Sequence, residues 1–244
     1  MNHKILLAGA TGVIGRRLAP LLLQAGHSIV GTTRSPDKAG ALAALGITPW
    51  VVDVFDAAAL EEGAVRIGPD IVIHQLTDLP AGLDPARMAQ GVTRNARIRS
   101  EGTANLVAAA RAAGARRLVA QSIAWAYAPG PTSRHEEDPL DLAAGGLRAI
   151  SVGGVAALER AVLGASPLEG VVLRYGQLYG PGTGVDQPVG VGSPVHVDAA
   201  AHAALLAIDR GEPGIFNVAE DGAQVDSGKA REQLGWDAGY RMKS

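Results

Sequence analysis

The stretch Gly9-Ala10-Thr11-Gly12-Val13-Ile14-Gly15 constrains this chain most, because it joins a short apolar run (4–8) to a segment with helical periodicity (13–24). Glycine has no Cβ, so the backbone there can turn tightly and approach a ligand closely. A helix opening directly after such a turn offers free N–H groups and its positive dipole end to an anion. Strand, glycine-rich turn and helix in that order predict a cradle for the pyrophosphate of NAD(P). Gly9, Thr11, Gly12, Val13, Ile14 and Gly15 are its candidate contacts.

The rest of the chain repeats the strand–helix alternation. Strand signals fall at 4–8, 28–33, 48–52, 70–75, 117–121, 170–175 and 215–219. Helical signals fall at 13–24, 36–45, 57–65, 85–113, 147–163, from about 198, and near 227–234. This alternation predicts an α/β fold, a doubly wound parallel sheet of Rossmann type, with a reduced C-terminal substrate lobe. Residues 1–244 read as one domain, with 176–244 contributing the small substrate-side lobe. Residues 128–141, rich in Pro, Gly and charge, read as a loop over the sheet edge.

Composition narrows the partners. A net charge of −2 argues against a large nucleic-acid surface. No apolar run reaches the ~18 residues of a membrane span, and the N-terminus enters a strand without a leader-like apolar region. A cytoplasmic location and a small-molecule substrate are therefore expected. The absence of cysteine excludes disulfides and thiolate chemistry in these residues. The consecutive acids Glu136-Glu137-Asp138 point in different directions, so no metal site is expected.

The second strand signal runs out in Thr32-Thr33-Arg34-Ser35, where an NAD-specific site would place an acid for the ribose hydroxyls. Arg34 instead suits a 2′-phosphate, and Arg16 and Lys38 could assist. NADP is the expected cofactor, with NAD possible.

Several further motifs occur in order: Val51-Val52-Asp53, Asp70-Ile71-Val72-Ile73-His74-Gln75, Glu101-Gly102-Thr103-Ala104-Asn105-Leu106, Arg174-Tyr175 leading to Tyr179-Gly180-Pro181-Gly182, Val195-His196-Val197-Asp198, and Leu234-Gly235-Trp236. With the glycine loop they resemble the short-chain dehydrogenase/reductase superfamily, in its extended and atypical epimerase/dehydratase-like branch. The resemblance implies that Asp53 meets the adenine amino group and that Val54 lies beside it. It places Gln75, Leu76, Thr77, Arg99, Tyr175 and Gly176 along the cofactor. It also implies a homodimer through the helices at 85–113 and 147–163. Gly153, Gly154, Ala156 and Ala157 would permit close helix approach there, or serve helix–sheet packing.

The catalytic half departs from that pattern. The family's Tyr-x-x-x-Lys helix is matched by Ser151 and Val155, counting back from Glu159. Ile123 falls where a catalytic hydroxyl usually sits, and Arg99 stands at the usual Asn. Tyr127 and Ser122 are the candidate catalytic replacements, with Arg99 as the cation to assist Tyr127. His135 is a candidate mobile acid, His74 reads as a satisfied core residue, and His196 and His202 read as structural. The lobe between Gly182 and Val195 is short for a sugar nucleotide. Either it is naturally compact, with an open or partner-completed pocket, or part of it is missing from the sequence. The expected function is an NADP-dependent oxidoreductase on a small carbonyl or alcohol with an atypical proton donor. The alternative is a non-catalytic NADP(H)-sensing regulator; a sugar-nucleotide epimerase or dehydratase fits less well.

Overall fold

The computed structural model describes residues 1–130, 133–188, 192–222 and 224–242. Seven strands form one parallel sheet: β1 (Lys4–Ala8), β2 (Ser28–Thr33), β3 (Thr48–Val51), β4 (Ile71–His74), β5 (Arg117–Ile123), β6 (Glu169–Tyr175) and β9 (Gly214–Val218). Their order is β3-β2-β1-β4-β5-β6-β9. The winding reverses between β1 and β4, and the crevice at such a switch point is where doubly wound sheets bind ligands. Pro49, which lacks an N–H for the ladder, is tolerated because β3 is an edge strand.

Two-residue periodicity divides the core. Ile5, Leu7, Ile71, Ile73, Val119, Val171 and Leu173 face one layer, where Leu18 and Leu22 of α1 (Val13–Gln24) meet Ala200, Ala203 and Ala204 of α7 (Val197–Leu206). Leu6, Ala8, Val72, Leu118, Ala120 and Val172 face the other. There they pack against α3 (Ala57–Ile67), α5 (Thr103–Ala112) and α6 (Gly146–Leu163). The layers are built from small aliphatic side chains, which lets the helices lie close to the sheet.

The helical stretch expected over 85–113 is interrupted. It comprises α4 (Pro85–Arg97), a π-helical turn Ile98–Gly102, and α5. One wide turn leaves the apolar spacing on either side nearly intact, so periodicity did not reveal it. Such turns often mark functional sites because they re-aim a side chain, and this one carries Arg99.

The stretch 176–244 divides in two. A small sheet of β7 (Gln177–Tyr179) and β8 (Pro194–His196) stands apart from the main sheet. The remainder folds back on the core: α7 packs on α1, β9 joins β6, and the Trp236 indole donates to Ala199 O at 2.8 Å. Arg17 of α1 also binds Asp198 at 2.6 Å, fixing the start of α7.

The small residues of α6 are used unequally. A Cβ added at Gly154 would lie 3.0 Å from Ala96 Cα of α4, whereas one at Gly153 would meet nothing within 4 Å. Gly154→Val should therefore destabilise the fold by about 1–3 kcal/mol through overpacking. Gly153→Ala should stabilise it by about 0.5–1 kcal/mol through better helix propensity. Denaturant melts of the two variants should move in opposite directions.

Candidate functional site

The C-terminal ends of β1, β2 and β4 open on a cleft of about 270 Å³. Gly9, Thr11 and Gly12 line its floor, Arg34, Ser35 and Lys38 one end, and Gln75, Leu76 and Thr77 the opposite wall. Val54 and Ile98 cover its apolar side. Of the residues expected to contact a cofactor, this lining brings together Gly9, Thr11, Gly12, Arg34, Val54, Gln75, Leu76 and Thr77. Ala8, Thr32, Thr33, Ser35, Val52, Leu60 and Leu106 join them without having been singled out from the sequence.

Each loop glycine has a separate steric reason. Gly9 has φ +91°, and a Cβ there would fall 2.6 Å from Gln75 O of the neighbouring strand end. Gly12 precedes α1 and lines the cleft, where a side chain would occupy the ligand's approach. A Cβ on Gly15 would sit 2.2 Å from Gly9 O, so helix and loop can pack only with glycine there. Val13 is exposed and Ile14 buried at the helix start. No side chain caps α1 and no acid lies in its first turn, so its leading N–H groups are left for an anion. Arg16 Nε donates to Thr11 O at 2.8 Å, bracing the loop. On the opposite wall the buried Gln75 Oε1 has no hydrogen-bond partner among the described residues, an orphan acceptor that a ligand donor would satisfy. The loop, the uncapped helix and this orphan fit a dinucleotide.

At the β2 end, Thr33 Oγ1 accepts from Ser35 N at 3.1 Å and turns the chain outward. Arg34 and Lys38 are exposed, and none of the residues lining the cleft is acidic. Asp78, shared by Arg34 at 3.6 Å and Arg94 at 3.4 Å, holds Arg34 at the rim. Asp53 is exposed and accepts from Phe55 N at 3.0 Å; its neighbours Val52 and Val54 form the wall instead. Tyr175 lies deeper, fully buried, 3.4 Å from Gln75 Nε2, and Gly176 is pressed against Ser193 O.

Ser122 and Tyr127, expected near the reacting end of the cofactor, belong to a buried network outside the cleft lining. Arg174 grips Glu159 through Nε and Nη2 at 2.8 and 2.7 Å, and Ser122 Oγ donates to the same carboxylate at 2.8 Å. The Arg174 guanidinium lies 4.7 Å over the Tyr127 ring, whose hydroxyl donates to Asn217 Oδ1 at 2.7 Å. Burial pushes the Tyr127 pKa up. Its neighbouring cation is thus Arg174, not Arg99, a correction that follows from long-range packing no sequence interval displays. Glu136, from the charged loop, turns inward and accepts from Asn217 N at 2.8 Å, with burial raising its pKa. Glu137 and His135 remain exposed.

Ser151 and Val155, the positions that the resemblance matches to the family's Tyr and Lys, lie in different surroundings. Val155 and Ile123 are buried in one apolar cluster with Val152 and Ala126. Ser151 is half-buried and accepts from Arg99 Nη1 at 3.3 Å. His196 caps α7 through Nδ1, and His202 stacks on Tyr240.

Residues 5–193 match the sequence profile of the NAD dependent epimerase/dehydratase family. The chain belongs to that family. It is 42% identical over 240 residues to a 3-diazoavenalumate denitrifying reductase of Streptomyces sp, covering 89% of this chain and 76% of that protein. Among solved structures, UDP-glucose 4-epimerase of Thermotoga maritima, with UDP-glucose, gives a TM-score of 0.77 at 18% identity, covering 96% of this chain and 93% of that one. The Bordetella bronchiseptica enzyme WbmG in complex with NAD gives 0.71 at 20%, covering 99% and 91%. These likenesses establish the family fold.

His74, which ends β4, offers a pH test. Its Nδ1 accepts from Leu76 N at 3.2 Å, so Nε2 carries the proton and donates to Thr103 Oγ1 at 3.0 Å. Complete burial, with Arg99 nearby, lowers its pKa from 6.5 to about 4. The unfolded chain therefore binds this proton more readily, and the stability due to neutral His74 is complete above pH 6.5. It is lost as pH falls from 6.5 toward 4, by up to about 3 kcal/mol. His74→Asn keeps an acceptor for Leu76 N without titrating. Its unfolding free energy should fall less than that of the wild type between pH 7 and pH 5.

Proposed function

We propose that this chain is an NADP-dependent reductase that passes hydride to an acceptor requiring no proton from the protein, with a diazo group as the acceptor class. The observation that carries this reading is the filled proton-transfer site. Ser151 and Val155 stand where an acid and its cation would be, and Val155 is packed dry against Ile123. A carbonyl acceptor becomes an alkoxide and needs a matched donor. Ser122 and Tyr127 are poor donors in this setting, because Glu159 and Asn217 already take their protons in hydrogen bonds.

An arenediazonium group places no such demand. The cation accepts a hydride at carbon, the C–N bond breaks, and dinitrogen leaves with the bonding pair. The arene forms without any proton being consumed. The diazo-reducing relative supports this class over the small carbonyl or alcohol.

Bound in the cleft, a reduced nicotinamide supplies the hydride. The protein's part is positional: the glycine loop and the start of α1 hold the pyrophosphate, and Gln75 offers an acceptor on the opposite wall. Arg34 and Lys38, with no acid among the lining residues, favour the 2′-phosphate of NADP over NAD.

Two measurements test this reading. Arg34→Glu should weaken NADPH binding by about 10- to 100-fold, the value of a hydrogen bond to a charged group. NADH binding should change little, and equal losses for both would refute the NADP assignment. Separately, purified protein with NADPH deuterated at the nicotinamide C4 and a benzenediazonium salt should release dinitrogen and deuterate the arene above the uncatalysed rate. NADPH binding without turnover of diazonium or carbonyl compounds would favour the sensor reading.

A further inference from the structure

Arg99 is the cation that the buried network does not absorb. Only 9% of its surface is exposed, and among the described residues its one hydrogen bond is the 3.3 Å contact with the uncharged Ser151 hydroxyl. Glu159, the carboxylate whose charge it feels, is already held by Arg174 and Ser122. Burial without a partner lowers the Arg99 pKa to about 10. A guanidinium has five N–H donors in a planar fork.

Its position is informative. The π-helical turn seats Arg99 next to Ile98, which lines the cleft, and its charge is felt by His74 at the end of β4. Gln75 and Leu76 follow His74 directly along the cleft wall. Leu147, one helical turn before Ser151 on α6, is an exposed apolar side chain at a spacing that shares the Ser151 face. The pyrophosphate cradle lies elsewhere, at the start of α1, so the cofactor's phosphates leave Arg99 uncompensated.

We propose that Arg99, with Ser151, is an anion-recognition site for the carboxylate of the substrate, so that the acceptor is an apolar or aromatic acid carrying its reducible group. This rests on the reductase reading for its chemistry and narrows the substrate class. A carboxylate accepts two N–H bonds in the geometry that guanidinium presents, and the pairing neutralises a buried charge. The Ser151 hydroxyl is free to donate to the same anion, because it serves Arg99 as an acceptor. The pair would hold the substrate's anionic end without taking part in proton transfer.

Binding of an unreactive acid separates this claim from the reductase reading. With NADP-saturated protein, calorimetry should show cinnamate binding about 10- to 100-fold more tightly than the isosteric cinnamamide. Arg99→Met should abolish that preference while leaving the far-UV spectrum unchanged. Arg99→Lys should retain part of it, since charge survives but the fork does not. Ser151→Ala, at a half-exposed position, should reduce it, and serves if Arg99→Met fails to fold. Equal binding of acid and amide by the wild type would overturn the proposal. So would an Arg99→Met protein that loses NADPH instead of the carboxylate preference. A carboxylate preference in a protein that reduces no diazonium compound would leave the anion site standing and remove only the reductase reading.

Discussion

The bidentate pair between Glu159 and Arg174 sets the geometry of the second half of the molecule. It ties α6 to β6 through contacts of 2.7 and 2.8 Å between two side chains almost wholly buried. Desolvating two charges is costly, and the cost is offset only where geometry is good and the remaining polar atoms are satisfied. Here Ser122 donates to the carboxylate, Glu136 O accepts from Arg174 Nη1 at 3.1 Å, and the Tyr127 ring covers the guanidinium. The pair also orients α6. Residues spaced by four share a helix face, so fixing Glu159 inward turns Val155 and Ser151 toward the end of β5.

That orientation gives meaning to what occupies the face. The motif pattern that the chain resembles would carry an acid and a cation on these turns, but this chain carries a hydroxyl and an isopropyl group. The apolar replacement is packed against Ile123, itself at a position where a hydroxyl was expected, so the vacated polar site is closed with matching apolar surface. A cation still stands nearby, now contributed by Arg99 from the π-helical turn of the neighbouring helix. On the reading proposed above, Arg99 supplies a charge that holds a substrate and takes no part in a proton relay. A reaction that consumes no proton is compatible with that role.

Much of this architecture was legible from local pattern. The alternating apolar runs placed all seven strands of the main sheet, and the glycine loop placed its ligand cleft, because strand period and glycine's missing Cβ are properties of consecutive residues. Arg34 was legible for the same reason, lying at the end of β2. The π-helical turn was not, since one wide turn scarcely changes the spacing of Ile98 and Leu106. Nor were β7 and β8, each three residues long and paired across the lobe. The inward turn of Glu136 was also hidden, because Glu137 and Asp138 beside it give the segment the composition of a solvated loop.

By itself the sequence determined the sheet and the glycine-rich turn after β1, and it set the residues that stand at 34, 151 and 155. Each depends on residue chemistry at one position or on spacing along one element. Tertiary structure alone decided that Tyr127 and Ser122 serve a buried network and that Arg99 meets the Ser151 hydroxyl while Arg174 holds Glu159. Those outcomes arise from contacts such as Tyr127 to Asn217, 90 residues apart, and Arg99 to Ser151, 52 apart. Whether a charge is paired, and at what cost, depends on what folding brings beside it.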